Sequence, residues 1–169
     1  MTLLPQAATA AVLLLLTLGL QCIGITGLIE WLKRVVAPEI QKFGPHRSAV
    51  LVMEATIAIV LLHGLVILLW ACFYRSQCFP SWELAFYFSA SSYATVGYGD
   101  VILPGKWRLL GPLESITGVL MCGVSVCVLF ALVTRLVQRD TESTQTQVAT
   151  ASPRFAGAQD WSAQAHDSR

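Results

Sequence analysis

The sequence predicts an all-α membrane protein: three spanning helices, with one short segment that enters the bilayer and returns between the second and third. Three observations carry that reading. Of 169 residues, 55% are hydrophobic and only 12% charged, a balance well away from that of soluble domains. Three runs are uncharged, or nearly so, over the about 20 residues that a helix needs to cross roughly 30 Å of hydrocarbon. A fourth apolar stretch is too short to cross, and it leads into Thr95-Val96-Gly97-Tyr98-Gly99-Asp100, where two glycines stand at alternate positions.

Residues 1–30 give the first span: Met1 to Ile29 holds no charged side chain. A secretory signal would need a basic start and a short apolar core, and this run has neither, so a retained helix is expected. Residues 31–48 form a charged connector broken by Pro38 and Gly44-Pro45, with a short interfacial helix expected through Trp31 and Leu32. The second span covers 49–74 and is interrupted only by Glu54 and His63. Pro80-Ser81 then signals a helix start, with Ser81 as N-cap and Glu83 complementing the dipole in the first turn, and the helix runs over 81–93. Residues 95–100 are extended. The third span covers 112–137, around an uncharged core from Ser115 to Thr134. Residues 139–169, rich in Gln, Thr, Ser and Ala, lack hydrophobic periodicity and are expected to be a disordered cytoplasmic tail, too short for a ligand-binding regulatory domain, with Phe155 and Trp161 as weak anchors.

Lys33, Arg34, Lys42 and Arg47 lie between the first two spans, and Arg135 and Arg139 follow the third; Arg75, Lys106 and Arg108 lie on the opposite side. Cytoplasmic loops hold the excess of Lys and Arg. The chain is therefore expected as a multi-pass protein of the cell (plasma or inner) membrane, with its amino terminus outside and its carboxyl terminus in the cytoplasm. A net charge of +1 without a basic, aromatic-interleaved patch excludes nucleic acid as a partner. The five cysteines have no metal-ligand spacing with histidine and read as small apolar fillers, with Cys72 and Cys78 placed where a disulfide could form. Histidines 46, 63 and 166 fall in a loop, a span and the tail, and no nucleophile–base pair or phosphate-cradling loop accompanies them, so an enzyme is not expected. No organic cofactor is expected either.

Non-helical backbone at membrane depth survives only where it is buried in protein or lines water. The 95–100 segment is accordingly a candidate pore lining. Glycine accepts positive φ at little cost, so Gly97 and Gly99 let successive carbonyls turn to one side, which other L-residues resist. The carbonyl oxygens of Thr95, Val96, Gly97 and Tyr98 would then form a ladder of hard ligands, extended by the Thr95 hydroxyl. Such a ladder replaces the water around a monovalent cation without a full negative charge to trap it. The preceding helix points its negative end at the ion path, and Trp82, Tyr87 and Phe88 are expected to pack around the strand.

The stretch "AFYFSASSYATVGYGDV" resembles the pore helix and selectivity filter of potassium channels: residues 95 to 99 match the TVGYG signature, followed by the usual Asp at 100. The resemblance extends over about Ala49 to Val137. It implies a pore module, residues 49–138, made of an outer helix 49–74, a pore helix 81–93, a filter 95–100 and an inner helix 112–137. It also implies potassium ions held at Thr95, Val96, Gly97 and Tyr98, and a homotetramer in the lipid bilayer, since a chain with one pore loop supplies one quarter of each ring. Relatives often carry a filter-supporting glutamate where this chain has Ser91; the aromatic partner of the Asp100 carboxylate would be Tyr87. Gly99 and Asp100 complete the filter frame, and the loop from Val101 to Gly111 is longer than in the simplest relatives.

Gly118 and Gly123 are both candidates for the hinge of the inner helix, or else small residues for close packing. An intracellular constriction would fall at Phe130, Ala131, Thr134 and Arg135. His63 is either a mid-membrane proton sensor or a neutral group bonded to a hydroxyl or carbonyl on the first span, the second being favoured, and Glu54 is expected to reach the cytoplasmic interface. Glu114 either concentrates cations at the outer mouth or pairs with Lys106 or Arg108. The leading function is a passive potassium-selective channel. The alternatives are a pore subunit gated by a separate soluble partner, a less selective monovalent cation channel, and a non-conducting protein that keeps the pore fold. No span carries Arg at every third position, so no voltage sensor is expected.

Overall fold

A computed structural model describes residues 3–36 and 45–151, and among these it is helical, without strands. In chain order the elements are α1 (Leu3–Val36), α2 (Pro45–Gln77), α3 (Trp82–Tyr93) and α4 (Leu110–Ala151), with a 3₁₀ turn at Gly105–Trp107. Three helices are long and apolar enough to cross a membrane, over Pro5–Arg34, Ser48–Gln77 and Gly105–Gln138. The short α3 lies between the second and third of these in the chain, as the four apolar runs predict.

Two expectations are corrected. No separate interfacial helix forms at Trp31 and Leu32: α1 continues unbroken to Val36. Nothing before Pro38 interrupts its hydrogen-bond ladder, and Lys33 reaches back to Glu30 at 2.9 Å. The expected disorder does not begin at residue 139 either, because α4 runs to Ala151. Its extension contains no Gly or Pro, and Pro153 is the first residue that disfavours helix before it. Phe155 and Trp161 lie outside the described residues. Pro112, by contrast, sits in the first turn of α4, where its missing N–H goes unused.

The chain divides into two compact units, Met1–Leu129 and Phe130–Arg169. In the first, α2 packs against both α1 and α3. Its core is built on Val66, Trp70 and Tyr74 of α2, each fully buried, with Ala10 and Leu13 of α1, Ala85 and Tyr93 of α3, and Leu110 and Met121 of α4. Phe88 meets Tyr74 edge-on at 5.1 Å and Phe73 meets Trp107 edge-on at 5.2 Å, both favourable aromatic geometries. All five cysteines are free, so Cys72 and Cys78 do not pair. Burial pushes the Cys78 thiol up to about 11, away from reactivity.

Lipid offers α1 no hydrophobic reason to choose one face, so its seat is chosen by packing and polar contacts. Gln6, Ala10, Leu13, Thr17, Gln21 and Leu28 are buried along one stripe, and the fully buried Thr17 hydroxyl accepts the Trp70 indole N–H at 3.0 Å. Thr17→Val keeps the shape and leaves that N–H unpaired. A loss of about 1–3 kcal/mol is expected, read as a lowered thermal midpoint in detergent; an unchanged midpoint would deny this bond its role in seating α1.

Candidate functional site

The site is the segment after α3, and it begins with the way α3 ends. Ser81 caps the helix start, in extended conformation, accepting the Leu84 N–H at 3.3 Å, with Glu83 in the first turn. At the other end the Ala94 N–H still reaches Ala90 O at 3.0 Å. The helix then stops, but its last carbonyls go on collecting donors. Thr95 N–H donates to Ser92 O at 2.9 Å, Val96 N–H to Ser91 O at 2.9 Å, and Gly97 N–H to the same Ser91 O at 3.3 Å. Ser91 therefore holds the segment through its backbone carbonyl, a role that its side-chain type does not announce.

The donors of the inner half of the segment are thus spent on α3, and among the described residues no backbone N–H donates to the carbonyls of Thr95, Val96, Gly97 or Tyr98. The backbone alternates in hand: φ is +60° at Thr95, +53° at Gly97 and +79° at Gly99. The two glycines occupy the left-handed region without penalty. Thr95 does not share that freedom. A β-branched residue there is strained, and strain of this kind, about 1–3 kcal/mol, is held only where the surroundings dictate it.

At the far end, Tyr87 O–H donates to Asp100 Oδ2 at 2.8 Å, while Asp100 Oδ1 accepts the Val101 N–H at 3.0 Å. The bond to Asp100 raises the pKa of the Tyr87 hydroxyl, which keeps it protonated and a donor. The Tyr87 ring also stacks on Tyr98, nearly parallel, with centroids 6.3 Å apart. Of the three aromatics expected around the strand, Tyr87 is the one that bonds Asp100 and stacks on Tyr98. Phe88, one residue on and about 100° around the helix, faces Tyr74 and Phe79 instead. Trp82 is exposed at the start of α3.

Behind α3, α4 fits closely against the last turns. Ser115 Oγ donates to Ser92 O at 2.7 Å, and a Cβ on Gly118 would collide with the Tyr93 carbonyl oxygen. Gly118 is therefore a packing glycine. At Gly123 a Cβ would meet nothing in the chain within 4 Å, so of the two hinge candidates it is the one that no internal contact explains.

Two ionisable residues stand elsewhere than the sequence suggested. Glu114 is fully buried, accepting from Tyr74 O–H at 2.8 Å and from Ser89 O–H at 2.5 Å. It neither lines a mouth nor pairs with Lys106, whose ammonium lies over the Trp107 ring, or with Arg108. The third span simply begins a turn before Ser115, which carries Glu114 inside. His63 bonds hydroxyls, as the favoured reading holds, but not on the first span: Nδ1 lies 2.8 Å from Tyr93 Oη on α3 and Nε2 3.1 Å from Ser125 Oγ on α4. The first span arrives at one remove, through Gln21 Nε2, which donates to Ser125 Oγ at 3.2 Å. Glu54 is exposed. Tyr74, Ser89, Tyr93, Ser125 and Gln21 were not foreseen; the available signal was the polar residues recurring at helical spacing within apolar spans.

Residues 55–135 match a family model described as "Ion channel". No curated protein and no solved structure matches the chain. The matched segment contains most of α2, all of α3, the 95–100 segment and α4 as far as Arg135, and the family it matches is one of channels and not of enzymes.

Tyr87→Phe keeps the ring stack and deletes the donor to Asp100. A loss of about 1 kcal/mol, roughly fivefold in the equilibrium between ordered and collapsed segments, is expected. It would be read as shortened conducting bursts in single-channel recording; burst lengths equal to those of the parent would remove Tyr87 from the site.

Proposed function

We propose that the protein is a passive, potassium-selective channel in which four copies of this chain surround one pore, each supplying a quarter of every oxygen ring. The observation that carries this reading is the alternation of left-handed residues at 95, 97 and 99, with the neighbouring N–H groups spent on Ser91 and Ser92. Carbonyls freed in this way can take the place of an ion's water shell. A potassium ion entering from α4's side would shed water at the Thr95 hydroxyl and carbonyl, pass the Val96, Gly97 and Tyr98 carbonyls, and be displaced outward by the ion behind it. The site needs no organic cofactor; the permeant ion is the cargo.

An assembly of copies follows from the same chemistry, and the number four is what the resemblance to potassium channels implies. Residues 94–100 are exposed along one chain, and a lone exposed strand of peptide groups would be costly in hydrocarbon. Copies of the chain around an axis would cover the segment and close the rings. In this assembly the basic connector and the end of α4 face the cytoplasm of the cell membrane, with the amino terminus outside, and the inner helix bends at Gly123.

Potassium-loaded liposomes holding the purified protein provide the test. The reversal potential is expected to track the potassium gradient and ignore sodium; a potential that follows both ions replaces this reading with that of a less selective cation channel, and flux that appears only with a soluble protein added would make the chain a partner-gated pore subunit.

His63 adds an expectation about pH. A proton on its ring would place positive charge against Tyr93, two residues before Thr95, and oppose cations at the inner end of the ladder. Current is expected to fall on acidification, and His63→Ala to lose that response. An identical pH profile in the variant leaves His63 as a packing group.

A further inference from the structure

Glu114 is a fully buried carboxyl in an apolar helix, and conduction as proposed makes no use of it. It sits where three helices meet. Tyr74 of α2 donates to Oε2 at 2.8 Å, and Ser89 of α3 lies 2.5 Å from Oε1 and 2.9 Å from the Ile67 carbonyl of α2. Both carboxyl oxygens are thus engaged by side chains from other elements, in a site with no solvent exposure. An ionisable group in that position is expensive to keep and calls for a role.

The neighbouring contacts indicate what that role is. Along α4, Glu114, Ser115 and Gly118 meet α3 at Ser89, the Ser92 carbonyl and the Tyr93 carbonyl respectively. This is the last part of α3, and the Ser91 and Ser92 carbonyls there receive the N–H groups of Thr95, Val96 and Gly97. Whatever fixes the axial rotation and depth of this turn fixes the carbonyls of the ladder. Ser115 and Gly118 meet α3 through these carbonyls, whereas Glu114 also ties it to α2.

We infer that Glu114 is the positioning residue of the selectivity ladder: its carboxyl staples Ser89 of α3 to Tyr74 of α2 and so sets the radius at which Thr95, Val96 and Gly97 present their oxygens. This rests on the reading of residues 95–98 as a potassium filter. Hydrogen-bond inventory distinguishes stapling from a need for charge. Ser89 has one proton and two acceptors within reach, Ile67 O and Glu114 Oε1. An amide at 114 serves this arrangement in full: its N–H₂ donates to Ser89 Oγ, which turns its own proton to Ile67 O, while its oxygen accepts from Tyr74. A leucine of similar volume serves none of it.

The test compares the potassium-to-sodium permeability ratio of the full-length channel with those of Glu114→Gln, Glu114→Leu and Ser89→Ala, each reconstituted in planar bilayers, alongside thermal midpoints. Glu114→Gln is expected to keep the parent ratio, and Glu114→Leu and Ser89→Ala to lower it by about tenfold or more, including where the midpoint is unchanged, which a residue that only stabilised the bundle would not do. A parent ratio in Glu114→Leu overturns the inference. If that variant does not assemble, Ser89→Ala decides: a parent ratio there overturns it equally. A tenfold loss in Glu114→Gln also overturns it, since charge and not the staple would then be required. A parent protein that does not distinguish the two cations sinks the filter reading itself, a result separable from each of these.

Discussion

The Ser91 carbonyl, accepting from both Val96 and Gly97, is the contact on which the rest of the site depends. A peptide segment has as many acceptors as donors, apart from proline, and inside a membrane each must be satisfied. A ladder of oxygens can be offered to an ion only if the matching donors are disposed of elsewhere. The end of α3 provides for this, because the last carbonyls of any helix lack internal partners. The segment turns back on the helix that precedes it and uses those vacancies. The same turn that takes up the Thr95, Val96 and Gly97 donors also sets the segment against the negative end of the helix, so hydrogen bonding and electrostatics converge on one stretch of backbone.

That economy makes the placement of α3 critical, and the surrounding residues serve placement more than chemistry. Ser81 fixes where the helix begins. Gly118 lets α4 approach the Tyr93 carbonyl more closely than any side chain would allow, and Ser115 donates a hydrogen bond to the next carbonyl back. Tyr87 holds the outer end of the segment through Asp100. The strain at Thr95 is tolerable for the same reason: its backbone is held by its own N–H to Ser92 on one side and by the two bonds to Ser91 on the other.

Much of this was legible in the order of residues, and the parts that were not share a cause. Three apolar runs, a capped short helix and alternating glycines are local patterns, and each became the expected element. So did the pairing of Tyr87 with Asp100, which the family resemblance carried over to those two positions. The left-handed Thr95 was not legible, because nothing local favours that conformation in a threonine; the hydrogen bonds around it impose it. The charges beside Glu114, Lys106 and Arg108, suggest a surface, whereas its depth is set by where α4 starts. Aromatic kind groups Phe88 with Tyr87, whereas its angle around α3 turns it to Tyr74 and Phe79. The run of α4 to Ala151 is invisible to composition, which weighs hydrophobic periodicity but not the plain absence of a helix breaker.

The first span lies outside the matched pore segment, and its contacts give it a mechanical place in the whole. Thr17 anchors it to Trp70 on α2 by a satisfied, fully buried bond. Gln21, one turn further on, reaches past α2 to Ser125 on α4 and leaves its own carbonyl oxygen buried without a partner. One end of this pair of contacts is therefore secure and the other incomplete, and the incomplete one falls on α4 two residues beyond Gly123. His63 meets the same hydroxyl from α2. Those two bonds, each worth about 0.6–2 kcal/mol in a membrane, hold Ser125 to the first span and to α2. The first span, which takes no part in the 95–98 segment, is thereby tied to α4 close to Gly123.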